Sequence, residues 1–372
     1  MFFSIVLILL TLVYGYSGWR LIPHLPTPWS WATGFLLVGL ALSPLLAVRM
    51  RESPRFARLG DLYCWAAYGG LGFFVLMTTF LLLRDAAGWA LYLSGIPLPS
   101  SAANIDVATL GFTSLLALWG LYQARRTPAV RRIEVPIANL PHELDGLRIA
   151  QISDLHVGPT IKMDFVHRIV ERVNHLEADL IVFTGDMADG PVERLAAHVA
   201  PLAQLSAPLG LFSITGNHEY YSDVHAWTDK ARALGFQVLL NESRLVNYQG
   251  RTMAVVGITD HSAGEMVSEH RSDPQGALSR APAADFVLLL AHQPRSIHHA
   301  QGAHLQLSGH THGGQFFPWK YIVPLQQTYL AGLHRHDETW LYVHSGSGYW
   351  GPPLRLGAPS EIALLTLRRR EQ

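Results

Sequence analysis

The chain of 372 residues carries 28 Lys plus Arg against 28 Asp plus Glu, so it has no net charge and no basic footprint for nucleic acid. Hydrophobic residues make up 49% and charged residues only 15%, too apolar a balance for a wholly water-soluble protein. The single cysteine, Cys64, can form no intrachain disulfide, and any metal site must draw on His, Asp and Asn.

Charge is sparse before about residue 124 and ordinary after it. The step divides the chain into a transmembrane region (1–124), a linker and domain entry (125–147), a soluble α/β domain (148–367) and a basic tail (368–372). A spanning helix needs about 20 mostly apolar residues, because in hydrocarbon only a helix satisfies its own backbone. Residues 1–19, 29–48, 62–83 and 107–124 meet or approach that length. The uncharged interval 86–105 is interrupted by Pro97, Pro99, Ser100 and Ser101 and reads as a connecting segment along the interface. The first span reads as a helix rather than a signal peptide, since it lacks a basic leading region and three more spans follow.

Arginines set the expected orientation. The loop between spans two and three carries Arg49, Arg51, Arg55 and Arg58, and the exit of span four carries Arg125, Arg126, Arg131 and Arg132. The other loops carry only Arg20 and Arg84. The positive-inside rule then places both termini and the soluble domain in the cytoplasm, on the inner face of a cell membrane. Asp61, Arg84, Asp85 and Asp106 fall at span ends, which favours an anchor over a conduction path.

Beyond residue 148, apolar runs at 148–153, 180–184, 211–215, 253–258, 286–291 and 305–308 read as strands, with helical spacing at 165–176 and 195–205. Residues 245–256, with Gly250 between two runs, read as a hairpin, and 362–367 as a closing strand.

Polar residues of metal-ligand type follow five of these runs, where loops gather at strand ends. Asp154 and His156 come first, with alternate residues of an extended chain projecting the same way. Then come Gly185-Asp186-Met187-Ala188-Asp189, Gly216-Asn217-His218-Glu219, His292, and Gly309-His310-Thr311-His312-Gly313-Gly314. Four imidazoles (His156, His292, His310, His312), two carboxylates (Asp154, Asp186) and the Asn217 amide make seven ligands, enough for two ions sharing one carboxylate. Oxygen and nitrogen donors without thiolate suit two divalent ions among Mn, Fe, Zn and Co. Two such ions about 3.5–4 Å apart support in-line attack of water on a phosphoryl group.

The ordered set Asp-x-His, Gly-Asp-x-x-Asp, Gly-Asn-His-Glu, a strand-end His and Gly-His-Thr-His resembles the calcineurin-like metallophosphoesterase superfamily over residues 148–367. Gly309 to Gln315 looks most like its membrane-associated bacterial branch. The resemblance implies two packed β-sheets flanked by helices. It also implies Asp154, His156, Asp186 and His312 at one metal and Asp186, Asn217, His292 and His310 at the other, with Asp186 bridging. His218 would then be catalytic, facing the leaving group or a phosphoryl oxygen, while Glu219 and Asp189 support loops and ligands.

The remaining histidines read as structural or solvated; His261, His334, His336 and His344 could instead border a substrate pocket. The apolar stretch 316–324 reads as a packed loop over the core, with a lipid-facing wall as the rival. The glycine-rich stretch 346–353 reads as a turn near the site, offering Tyr349 and Trp350 to substrate. Arg368, Arg369 and Arg370 read as a solvated tail. The chain is thus expected to be a membrane-anchored phosphohydrolase whose partners are the lipid bilayer and a phosphorylated small-molecule or lipid-linked substrate. A soluble-nucleotide phosphodiesterase, or a metal-binding membrane sensor without turnover, is the alternative.

Overall fold

The computed structural model describes residues 2–52, 57–97 and 102–370, with the side chains of 2–5, 48–52, 57, 58, 102 and 103 outside that set. The chain forms two units: Met1–Gln123 with Gly351–Leu356, and Ala124–Trp350 with Gly357–Gln372.

The first unit holds α1 (Phe2–Leu21), α2 (Thr27–Glu52), α3 (Ala57–Leu93) and α4 (Ala102–Arg125). Within them, Val6–His24, Thr27–Ala47, Leu59–Leu93 and Asn104–Arg125 are long and apolar enough to cross a membrane. Leu10, Tyr14 and Leu37 are buried together, whereas Phe35, Trp89 and Leu115 point outward, as side chains facing lipid do. In Gly351–Leu356, the Arg355 amide donates to the Gly120 carbonyl at 3.0 Å. Leu354 lies against Gly72 and Gly120, where a larger residue would collide with it.

Two expectations change here. Residues 86–93 continue α3 instead of forming a connection, because nothing in Ala86 to Leu93 stops a helix; the thickness of hydrocarbon limits a span, not a helix. Pro99, Ser100 and Ser101 lie outside the described residues. Arg84 and Asp85 accordingly sit inside a helix rather than at its end, and they are neutralised by neighbours. Asp85 accepts from Arg20 at 2.9 Å, from Arg84 at 2.8 Å and from Tyr16; Arg84 also meets Asp106, which lies 2.9 Å from His24. Of the orientation-setting loop, Arg55 and the side chains of Arg49, Arg51 and Arg58 lie outside the described residues.

The second unit opens with β1 (Ala129–Ala138), β2 (Arg148–Ile152), α5 (Met163–Asn174), β3 (Leu180–Phe183), α6 (Val192–Val199), β4 (Leu211–Ser213), α7 (Asn217–Tyr221), α8 (Val224–Ala233) and β5 (Gln237–Val238). It continues through β6 (Glu242–Tyr248), β7 (Arg251–Gly257), α9 (Pro274–Arg280), β8 (Phe286–Leu290), β9 (Leu305–Ser308), α10 (Trp319–Ile322), β10 (Gly332–His336), β11 (Thr339–Val343) and β12 (Glu361–Arg370). One sheet runs β1-β12-β2-β3-β4-β5 and the other β10-β11-β9-β8-β7-β6. β2 through β5 are mutually parallel, as are β7, β8, β9 and β11.

Alternation along each strand builds the layers. Leu180 and Val182 of β3 face the second sheet and share a core with Leu288, Leu305 and Tyr342. Ile181 and Phe183 face the other way, against Phe165, Ile169 and Val173 of α5. Strands buried on both faces read as continuous apolar runs, which is why β3 and β8 were visible in the sequence. Gln151 of β2 crosses the inter-sheet layer, its amide donating to Thr184 Oγ1 at 2.9 Å and to the Ser308 carbonyl at 3.0 Å.

The entry segment 125–147 contains β1, parallel to β12 over ten residue pairs. Arg368, Arg369 and Arg370, expected in a tail, end β12 with exposed side chains.

Candidate metal centre

Parallel strands bring their C-terminal ends to one edge, and five of those ends supply the polar residues. Asp154 and His156 follow β2, Asp186 and Asp189 follow β3, and Asn217, His218 and Glu219 begin α7 after β4. His292 follows β8, and His310 and His312 follow β9.

All seven candidate ligands converge. His156 Nε2 faces His312 Nε2 at 2.9 Å, and His312 Nε2 lies 3.5 Å from Asp154 Oδ1. On the other side, Asn217 Oδ1 lies 3.2 Å from His292 Nε2 and 3.0 Å from His310 Nδ1. Asp186 Oδ2 stands between the two groups, 3.1 Å from His292 Nε2 and 3.7 Å from His156 Nε2. Asp154, His156 and His312 form one cluster of metal-ligating type, and Asp186, His292 and His310 a second.

The donor set fits divalent ions. Two imidazole nitrogens aimed at each other cannot both carry hydrogen, so at least one lone pair is bare. Asp154 Oδ2 is buried without a hydrogen-bond partner, a costly arrangement for a carboxylate unless a cation meets it. The outward nitrogens are held as metal-binding histidines require. His292 Nδ1 donates to the Thr184 carbonyl at 2.7 Å, and His156 Nδ1 pairs with Asp189 Oδ1 at 2.9 Å.

Extended backbone does not deliver these side chains. Asp154, His156, Asp186, His310 and His312 all adopt left-handed conformations, with φ of 54°, 50°, 59°, 70° and 52°. This corrects the expectation that alternate residues of a straight strand end share a face. The strand stops, and each candidate ligand turns inward through a conformation that Asp and His tolerate better than most residues. Glycines open the space: at Gly216 a Cβ would collide with Asp186, and at Gly309 with Ser153 and Asp154.

Glu219 is a brace. Its carboxylate accepts from the amides of Asp186 at 3.0 Å, Met187 at 2.7 Å and Gly216 at 2.7 Å, locking the β3 and β4 loops together. Burial and the neighbouring Asp186 push its pKa up to about 7 against the pull of those amides. Burial would raise Asp186 too, but the charges of His292 and His218 hold it well below the usual carboxylate range. Burial and the adjacent His292 press His310 down to about 4, the neutral form a ligand needs.

His218 forms a third cluster of metal-ligating type with His156 and Asp189, apart from Asp154 and Asp186. Its Nδ1 lies 2.7 Å from Asp189 Oδ1, the oxygen that also holds His156. Burial would lower its pKa, yet Asp186 and Asp189 raise it to about 9. Two aromatic rings flank it: Tyr221 at 5.1 Å and Trp350 at 5.8 Å, both exposed. Tyr221 escaped the sequence reading, its only signal being its place one helical turn beyond Asn217. Tyr349 is buried instead, donating to the Thr160 carbonyl at 3.2 Å. Among the other histidines, His344 is buried and accepts the Gly346 amide at 2.9 Å, His334 donates to the Ala331 carbonyl at 2.9 Å, and His336 meets Tyr329 at 3.0 Å. None of the three stands among the clustered ligands.

Two packed sheets carrying a His/Asp/Asn cluster at their parallel strand ends define a metallophosphoesterase domain. The chain belongs to the calcineurin-like phosphoesterase family, whose model matches residues 147–314. It is 34% identical to the transmembrane protein with metallophosphoesterase domain of Bos taurus over 329 residues, covering 82% of this chain and 74% of that one. It is 38% identical to an uncharacterized metallophosphoesterase of Helicobacter pylori over 257 residues, 68% of this chain and 67% of that one. The Danio rerio relative bearing the same name as the bovine one is 37% identical over 280 residues, and there the match covers 73% of this chain and 64% of the relative's length.

Proposed function

We propose that the chain is a membrane-anchored, dinuclear metal-dependent phosphohydrolase acting on a phosphate ester or pyrophosphate presented at a membrane, a lipid-linked substrate being the leading class. The observation that carries this reading is Asp186 Oδ2, which lies 3.7 Å from His156 Nε2 and 3.1 Å from His292 Nε2, so that one carboxylate would serve both ions. Asp154, His156, Asp186 and His312 would hold one ion and Asp186, Asn217, His292 and His310 the other. When bound, such ions polarise phosphoryl oxygen and lower the pKa of water. Manganese, iron, zinc or cobalt suits these donors.

The protein's own groups do the rest. Asp189 holds His218 through Nδ1, leaving Nε2 for the substrate, where it stabilises phosphoryl charge or gives a proton to the leaving oxygen. Tyr221 and Trp350 offer aromatic surface beside His218 and orient the leaving group. The arginine distribution supports a catalytic domain on the cytoplasmic side of a cell membrane. Four helices raise the effective concentration of the site near membrane substrates.

The test is a panel offered to the full chain in lipid nanodiscs with added manganese: an aryl phosphate, an aryl phosphodiester and a nucleotide-linked lipid pyrophosphate. Preference for the lipid pyrophosphate by kcat/KM is the expected result. Equal or better turnover of soluble nucleotides would favour the phosphodiesterase alternative, and bound metal with no turnover of any compound would favour a sensor.

A further inference from the structure

The stretch after the last histidine ligand does not pack over the core. Phe316 is buried, but Trp319, Tyr321, Ile322 and Leu325 are 39%, 63%, 41% and 84% exposed, four large apolar side chains within seven residues. Pro324 beside them is exposed too. A patch of this kind on a water-soluble surface needs an occupant.

Its base is tied to the active site. Gln315 receives the Trp350 amide on Oε1 and donates from Nε2 to the Trp350 carbonyl, both at 2.9 Å, and the Trp350 ring stands 5.8 Å from His218. The patch therefore borders the mouth of the candidate metal centre.

We propose that Trp319–Leu325 docks into the surface of the lipid bilayer, with the catalytic mouth opening beside it at headgroup level. Three observations select lipid as the occupant. The composition is interfacial: a Trp and a Tyr flank Lys320, whose ammonium lies 5.1 Å over the Tyr321 ring, and Ile322 and Leu325 supply the inserting bulk. No Asp or Glu occurs from Gly313 to His336, so nothing there repels anionic headgroups. The chain also supplies its own membrane tether. Arg125, the last residue of the fourth apolar helix, already belongs to the catalytic unit, donating to the Thr160 carbonyl at 2.6 Å and to the Tyr349 hydroxyl at 3.1 Å. The proposal rests on the membrane anchoring and not on the hydrolysis.

The test measures depth. The full chain with Cys64→Ala and Leu325→Cys carries an environment-sensitive fluorophore in nanodiscs of phosphatidylcholine and phosphatidylglycerol containing doxyl-labelled lipid. Leu245→Cys, at an exposed site on β6, is the control. Tyr321→Cys is the second probe, in case the first perturbs the loop. The expected result is a blue-shifted emission at 325 and 321 and at least a twofold greater loss of fluorescence to doxyl lipid than at 245. Quenching at 325 and 321 no greater than at 245 would overturn the proposal, including the case in which energy transfer between labelled copies shows that a second chain covers the patch. Because turnover is not read, an inactive enzyme leaves this result interpretable.

Discussion

At Asp186 one carboxylate serves both halves of the cluster: Oδ2 faces His156 and His292, and Oδ1 accepts the His218 amide at 2.9 Å. Asp186→Asn keeps the shape but removes the charge both ions would share, so kcat should fall by at least about 10³-fold, with a lower metal content. His218→Ala should lower kcat by about 10²–10⁴-fold, the range for an acid or oxyanion donor, while leaving metal content unchanged. Asp189 is a positioning residue for both His156 and His218. Asp189→Asn should therefore weaken metal affinity by about 10–100-fold as well as slowing turnover, and equilibrium metal titration separates it from the His218 variant. His304 gives a pH-dependence outside the site. Its Nδ1 accepts the Val287 amide at 3.0 Å and its ring stacks on Phe286, while burial lowers its pKa from 6.5. The folded form binds the proton less readily than the unfolded chain. The stability His304 contributes is thus present above pH 6.5 and is lost as pH falls below it toward the lowered folded value. Between pH 7.5 and 5.5 the wild-type Tm should drop further than that of His304→Gln; parallel curves would contradict this. The convergence of these residues was the legible part of the candidate site, because Asp, His and Asn follow apolar runs whose strand ends meet. The left-handed backbone at five of them was not legible, since φ depends on where each loop turns.

Among the elements, the inner strands were readable because burial on both faces leaves continuous apolar runs such as Leu180–Phe183. β1 was not, because it mixes arginines with apolar residues along an edge position whose partner, β12, is more than 220 residues away, as in Val130↔Ile362. The hairpin of β10 and β11 was hidden by the histidines of Gly332–His336. Residues 86–93 belong to α3 because the breakers Pro97, Pro99, Ser100 and Ser101 all come after them in the chain. Glu219 ties two of these elements' loops together through three amides. Glu219→Ala should strand three buried donors and cost about 3 kcal/mol or more, read by chemical denaturation of the purified chain. A loss below about 1 kcal/mol would show that the loops hold without it.

Across the whole molecule, an apolar helical unit and a family-typical catalytic unit share one chain, and the sequence showed both through the step in charge density near residue 124. The proposed orientation rests on arginines alone: a reporter fused at the C-terminus should be active only in the cytoplasm, and activity on the opposite face would reverse the proposal. The most direct test of the central claim is metal content measured together with hydrolysis on the same purified full-length samples, wild type and Asp186→Asn. About two divalent ions per wild-type chain, with turnover that disappears on chelation, returns with manganese and is lost in Asp186→Asn, is the expected result. Turnover that survives both chelation and the substitution would contradict it.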